Sequence, residues 1–99
     1  MSVTLINPFE VPPGREEDAV AYWDRCADVL RRQPGFISAR LHRAIMPGAR
    51  FALVNVAEWE SAEHFESAVS TSEFQAVAAT GASDFPHFPA IYDVVRTIS

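Results

Sequence analysis

Two periodicities alternate along the chain and divide it into elements. Val3 to Phe9 alternates weakly and predicts a strand, with Pro8 favouring an edge or a bulge near its end. Pro12-Pro13-Gly14 breaks the chain before a helix predicted over Glu16 to Arg32. Ala19, Val20, Trp23, Cys26, Ala27 and Leu30 recur there at helical spacing on one face. Glu16, Glu17 and Asp18 open the helix and Arg31 and Arg32 close it, matching the macrodipole at both ends, and Pro34-Gly35 stops it. Phe36 to Ile45 and Phe51 to Trp59 read as strands of a hairpin turning at Met46-Pro47-Gly48-Ala49. Ser61 is positioned to cap a helix carrying Phe65, Ala68 and Val69. Ser72 with Gln75 forms a capping-box pattern for a second short helix with Phe74, Val77 and Ala78, ended by Gly81. After the stiff run Phe85-Pro86-His87-Phe88-Pro89, Ala90 to Ile98 predicts a last strand.

This order, β-α-β-β-α(α)-β, is that of a ferredoxin-like α+β domain with an antiparallel sheet and helices on one face only. Both faces of the later strands are nevertheless apolar. Phe51, Leu53, Ala57 and Trp59 oppose Ala52, Val54 and Val56, and Ile91 and Val95 oppose Tyr92, Val94 and Ile98. A monomer would leave one of those faces in water, so the pattern predicts a homodimer packed sheet against sheet.

Composition narrows the functional classes. The chain has 99 residues, 48% of them hydrophobic, which fits a single packed domain over residues 1–99. Its net charge of −5 argues against non-specific binding to nucleic acid or to anionic membranes. All 8 cationic side chains are Arg, so lysine Schiff-base chemistry is excluded. The single Cys26 excludes an internal disulfide and a cysteine zinc cluster. The sequence carries neither a signal-peptide pattern nor an apolar run of membrane-spanning length, and the expected location is the cytoplasm.

Polar residues inside apolar strands are the candidates for chemistry. Asn55 interrupts Leu53-Val54-Asn55-Val56-Ala57, and Asn7 lies similarly in the first strand. A lone strand Asn usually bonds nearby backbone, because a buried amide without partners costs about 1–3 kcal/mol. Here Asn55 and Trp59 share a strand face about 13 Å long, and Asn7 falls on the neighbouring strand of this topology. An amide beside a large aromatic in a pocket can bind a phenol, a carbonyl or an oxyanion. His42 is read as a pocket base or an exposed strand histidine, sharing its alternation with Ser38 and Arg40. His87 is read as part of a rigid lip over a pocket or as a packed connector, and His64 as a solvated residue in the first turn of a helix. Trp23 is placed to wall a cavity and Cys26 to fill apolar space. No metal-ligand spacing, nucleophile elbow or glycine-rich phosphate loop is present in the sequence.

The run Leu53-Val54-Asn55-Val56-Ala57-Glu58-Trp59-Glu60-Ser61, with Phe65 beyond it, resembles the antibiotic biosynthesis monooxygenase family. Pro34-Gly35-Phe36-Ile37-Ser38-Ala39 is similar to that family's approach to its second strand, and the resemblance extends from Val3 to about Val95. It implies a dimeric α+β barrel and oxygenation of an electron-rich aromatic, such as an anthrone or hydroquinone, with O2 and with neither metal nor flavin. By position, Asn55 would bind the substrate oxygen, Trp59 would line or polarise the pocket, and Asn7 matches a first-strand Asn of some relatives.

The chain departs from the pattern in two places. Phe65 stands where anthrone-oxidising relatives carry a tyrosine, and no Arg occurs between Phe51 and Val95, where they carry one. The histidine of haem-degrading relatives would fall near Ala78, which argues against haem degradation. The catalytic candidates are therefore Asn55, Trp59, Asn7 and His42, and the substrate-binding candidates are Trp23, Arg40, Phe65, Phe74 and His87. The expected function is a cofactor-independent monooxygenase. The alternatives are a non-oxygenase tailoring enzyme (cyclase or isomerase) and a non-catalytic dimer that binds an aromatic ligand.

Overall fold

The computed structural model describes residues 1–99. Its elements are β1 (Val3–Phe9), α1 (Glu16–Leu30), β2 (Phe36–Arg43), β3 (Leu53–Trp59), α2 (Ala62–Val69), α3 (Ser72–Ala78) and β4 (Ala90–Tyr92). The four strands form one antiparallel sheet in the order β2-β3-β1-β4, the ferredoxin-like arrangement expected from the element order.

The central strand β3 sets the two faces of the sheet. Leu53, Asn55, Ala57 and Trp59 are buried, while Val54, Val56 and Glu58 between them are only half-buried. Beneath the helices, Phe9 and Leu53 pack with Ala19 and Tyr22 of α1 and with Phe85. Further along the same face, Leu5, Ala57 and Trp59 pack with Ala68 of α2. The opposite face carries Ile6, Pro8, Val54 and Val56 together with Arg40, His42 and Glu58, and no helix of the chain covers it.

Several boundaries differ from the sequence expectation, each for a local reason. The last strand stops at Tyr92 rather than Ile98, its pairing with β1 ending at Thr4. Beyond that pair, Asp93 to Ser99 are exposed. The hairpin strands are shorter than predicted, with Arg43 opposite Leu53 and one further backbone bond from Ala44 N to Ala52 O at 2.9 Å. Helix α1 ends at Leu30, so Arg31 is its C-cap and Arg32 lies beyond it, where its Nε donates to the Asp28 carbonyl at 3.0 Å. The cap of α3 is Thr71 rather than Ser72, its Oγ1 accepting from Phe74 N at 3.2 Å.

The Ser61 cap matches expectation, since its Oγ accepts from His64 N at 3.1 Å. The His64 ring is not solvated. It is half-buried, with Nδ1 2.7 Å from Ser61 Oγ, and it lies over Gly35.

Candidate active site

The covered face of the sheet and the helices above it enclose a cavity of about 220 Å3. Asn7 of β1 and Asn55, Ala57 and Trp59 of β3 form its floor. Trp23, Cys26, Ala27 and Leu30 of α1 form one wall, and Phe65, Val69 and Phe74 of α2 and α3 another. His87 and Pro89 close one side. A 150 Å3 apolar protein cavity is already enough to hold benzene, so this one admits a small aromatic molecule.

The polar groups of the cavity converge on its floor. Asn7 and Asn55 are direct partners across the β1–β3 ladder, and Trp59 pairs with Val3 at the other end of the same ladder. Asn7 Oδ1, Asn55 Oδ1 and Trp59 Nε1 are all sealed from solvent, and none has a hydrogen-bond partner. Buried polar atoms are nearly always paired, and each orphan costs about 1–3 kcal/mol. Asn7, Asn55 and Trp59 all line the cavity, so its floor carries unspent hydrogen-bonding capacity, two acceptors and one donor. Trp59 is fully buried and fixed by edge-on contacts with Phe36 (5.4 Å between centroids, 86°) and Phe65 (5.6 Å, 74°). The expected bonds from the two Asn side chains to neighbouring backbone do not form.

The structure places Asn7, Asn55, Trp59, Trp23, Phe65, Phe74 and His87 around one cavity. It separates His42 and Arg40 from them. Arg40 pairs with Val56 and His42 with Val54, which places both on the uncovered face, exposed and turned away from the cavity. The parity of the strand decides this: Ala39 and Leu41, not Arg40 and His42, face the helices. His42 Nδ1 lies 3.3 Å from the Val54 carbonyl.

Sequence reasoning missed Tyr22. It is buried in the cavity wall, and its hydroxyl donates to the Ala78 carbonyl at 2.7 Å. The i, i+3, i+7, i+10 spacing of Ala19, Tyr22, Cys26 and Val29 was the available signal. Burial raises the pKa of Tyr22, with the neighbouring Cys26 thiol adding to the effect. Burial likewise raises that of Cys26 against the opposing Tyr22 hydrogen bond. At neutral pH the cavity therefore contains neither a phenolate nor a thiolate nucleophile. No group of three or more His, Cys, Asp or Glu side chains is arranged to hold a metal ion. No helix is long and apolar enough to cross a membrane.

Comparison with known proteins identifies the family. The family model for antibiotic biosynthesis monooxygenases matches residues 2–80. A Shewanella loihica PV-4 protein, provisionally described as a monooxygenase, is 40% identical, with a TM-score of 0.83 over 97% of this chain and 96% of that one. SnoaB, a cofactor-independent oxygenase from Streptomyces nogalater, is 25% identical, with a TM-score of 0.83 over 98% of this chain and 96% of that one. Rv0793 from Mycobacterium tuberculosis shares the fold at 16% identity and a TM-score of 0.77, each chain covered over 100% of its length. No curated protein sequence matches the chain. With most of its length matched by the family model, the chain belongs to the antibiotic biosynthesis monooxygenase family and is an enzyme of monooxygenase type.

Proposed function

We propose that the protein is a cofactor-independent monooxygenase that oxidises a small electron-rich aromatic of the anthrone or quinol type, and that it works as a homodimer. The observation that carries this reading is the unpartnered Trp59 indole N–H together with the Asn7 and Asn55 amide side chains on the floor of an otherwise aromatic cavity. The substrate ring packs among Trp23, Phe65 and Phe74, and its oxygen substituent meets the amides of Asn7 and Asn55 and the indole N–H of Trp59.

These groups then act on charge. Loss of a substrate proton leaves an electron-rich anion, and a hydrogen bond donated to its oxygen by the Trp59 indole N–H or an Asn side-chain NH2 group stabilises that anion. The anion reduces O2 by electron transfer, and recombination forms a carbon–oxygen bond. For an anthrone, the methylene carbon becomes a carbonyl, one oxygen atom enters the product, and the other leaves as water with the two methylene hydrogens. The protein supplies orientation and a preorganised field, so O2 needs no flavin or metal in this scheme. Family membership and the likeness to SnoaB support the oxygenase reading. The uncovered apolar face around Ile6, Val54 and Val56 supports the homodimer.

The test is oxygen uptake by purified protein with a dihydroxyanthrone and with a simple hydroquinone, each against a protein-free control. Saturable uptake that is unaffected by chelator, needs no added flavin, and incorporates one labelled oxygen atom from 18O2 per product is expected. Folded protein that gives no uptake above the control, but binds the anthrone or converts it without O2, overturns the oxygenase reading in favour of a binding module or a cyclase or isomerase.

A further inference from the structure

The cavity contains one side chain with a free basic lone pair, His87. Its segment is held rigidly: Pro86 and Pro89 flank it, Glu10 N donates to Pro86 O at 2.8 Å, and Phe88 N donates to Pro8 O at 3.1 Å. A single β-bridge joins His87 to Phe9, and the two rings stack at 5.1 Å and 29°. His87 Nδ1 lies 2.9 Å from the Phe85 carbonyl, which can only accept, so Nδ1 carries the proton. The neutral ring then holds its lone pair on Nε2, which has no hydrogen-bond partner, while the ring lines the same cavity as Asn7 and Asn55. The other titratable side chains of that cavity, Tyr22 and Cys26, are held protonated by burial, and the Tyr22 proton is committed to Ala78.

We propose that His87 is the catalytic base of the reaction. Its Nε2 accepts the acidic proton of the substrate; the O–H or C–H bond breaks, its electron pair stays on the substrate, and the ring becomes an imidazolium. That imidazolium returns the proton to the peroxide formed from O2, and the proton leaves in water, so His87 ends the cycle neutral. This assignment rests on the monooxygenase reading. It adds to the scheme the base for which neither Asn55 nor Trp59 has the chemistry, and it replaces His42, which lies on the other face of the sheet.

The experiment has two independent arms. In oxygen uptake with a dihydroxyanthrone, His87→Gln is expected to lower kcat/KM by about 100-fold or more, the usual range for a lost general base, and added imidazole to restore part of the rate to His87→Ala. A folded His87→Gln within about threefold of wild type overturns the proposal. The second arm uses wild-type protein without turnover, so it separates this proposal from the oxygenase reading and needs no variant to fold. Long-range proton–nitrogen NMR of the imidazoles is expected to show His87 as the Nδ1–H tautomer and to show it doubly protonated when 4-nitrophenol binds as phenolate. An Nε2–H tautomer, or 4-nitrophenol bound as the neutral phenol, overturns the proposal even if the chain consumes oxygen.

Discussion

Asn7 and Asn55 stand directly opposite each other across the β1–β3 ladder, and the side-chain oxygen of neither has a hydrogen-bond partner. Two unpartnered amide oxygens side by side in a sheet that is otherwise well bonded weaken the fold where the cavity floor needs polarity. Stability and ligand recognition are opposed at this pair.

Replacing Asn55 by Leu removes an orphaned acceptor and adds apolar area against Leu41 and the cavity wall. The variant is expected to be at least as stable as wild type, by up to about 1 kcal/mol in urea denaturation, because both the desolvation cost and the polarity disappear. Oxygen uptake is expected to fall by about 100-fold. A variant that is both clearly less stable and fully active contradicts the role given to this amide.

Trp59 separates shape from hydrogen bonding. Trp59→Phe keeps an aromatic between Phe36 and Phe65 but deletes the unpartnered Nε1. A stability loss under about 2 kcal/mol is expected with a fall in turnover of tenfold or more. Trp59→Ala empties the most buried position of the sheet and is expected to cost about 3–5 kcal/mol. Urea denaturation and oxygen uptake on the same samples check both.

The alkaline flank of stability depends on Tyr22 and Cys26. The folded state raises both pKa values, from ordinary values of 10.0 and 9.0, and so favours the protonated forms. Their contribution is complete below pH 9. As pH rises past 9 and then 10, the unfolded chain releases protons that the folded chain retains, so stability falls with rising pH. Tyr22→Phe is expected to lose about 1 kcal/mol at pH 7, with its bond to Ala78, and to decline less than wild type between pH 9 and 11. Parallel curves for the two proteins over that range would contradict the burial argument.

Gly35 and Gly48 make a controlled pair. Both have positive φ, +90° and +83°, but a Cβ at Gly35 would collide with the His64 side chain, whereas nothing lies within 4 Å at Gly48. Gly48→Ala should cost about 1 kcal/mol of backbone strain. Gly35→Ala should cost about 2 kcal/mol more than that, as the His64 ring is forced off Ser61. Equal melting temperatures for the two variants would show that His64 yields freely.

The uncovered sheet face gives the proposed dimer its test. Val56 lies at its centre, between Ile6 and Arg40 in the paired strands. Val56→Glu places a charge in the proposed interface and is expected to shift sedimentation from dimer to monomer. A wild-type protein that sediments as a monomer at micromolar concentration would contradict the dimer.

Element type and order were legible in the sequence because each depends on local spacing and punctuation. The strand from Val3 to Phe9, the helix starting at Glu16 and the Ser61 cap stand where the pattern placed them. Asn55 and Trp59 were recognisable as a pair because an interval of four residues on a strand keeps two side chains on one face. Other features were beyond local pattern. The last strand ends at Tyr92, where its ladder with the distant strand β1 stops at Thr4. His42 and Arg40 sit outside the cavity because helices cover only one face, and apolar character on both faces of β3 concealed which one it was. His87 joins the site through a bridge to Phe9, and Tyr22 through a bond to Ala78, 56 residues away. Local sequence determines which face of an element is apolar and where it begins. Only tertiary structure decides which of two apolar faces is buried and which distant groups meet there, because those outcomes depend on pairing and packing between segments far apart in the chain.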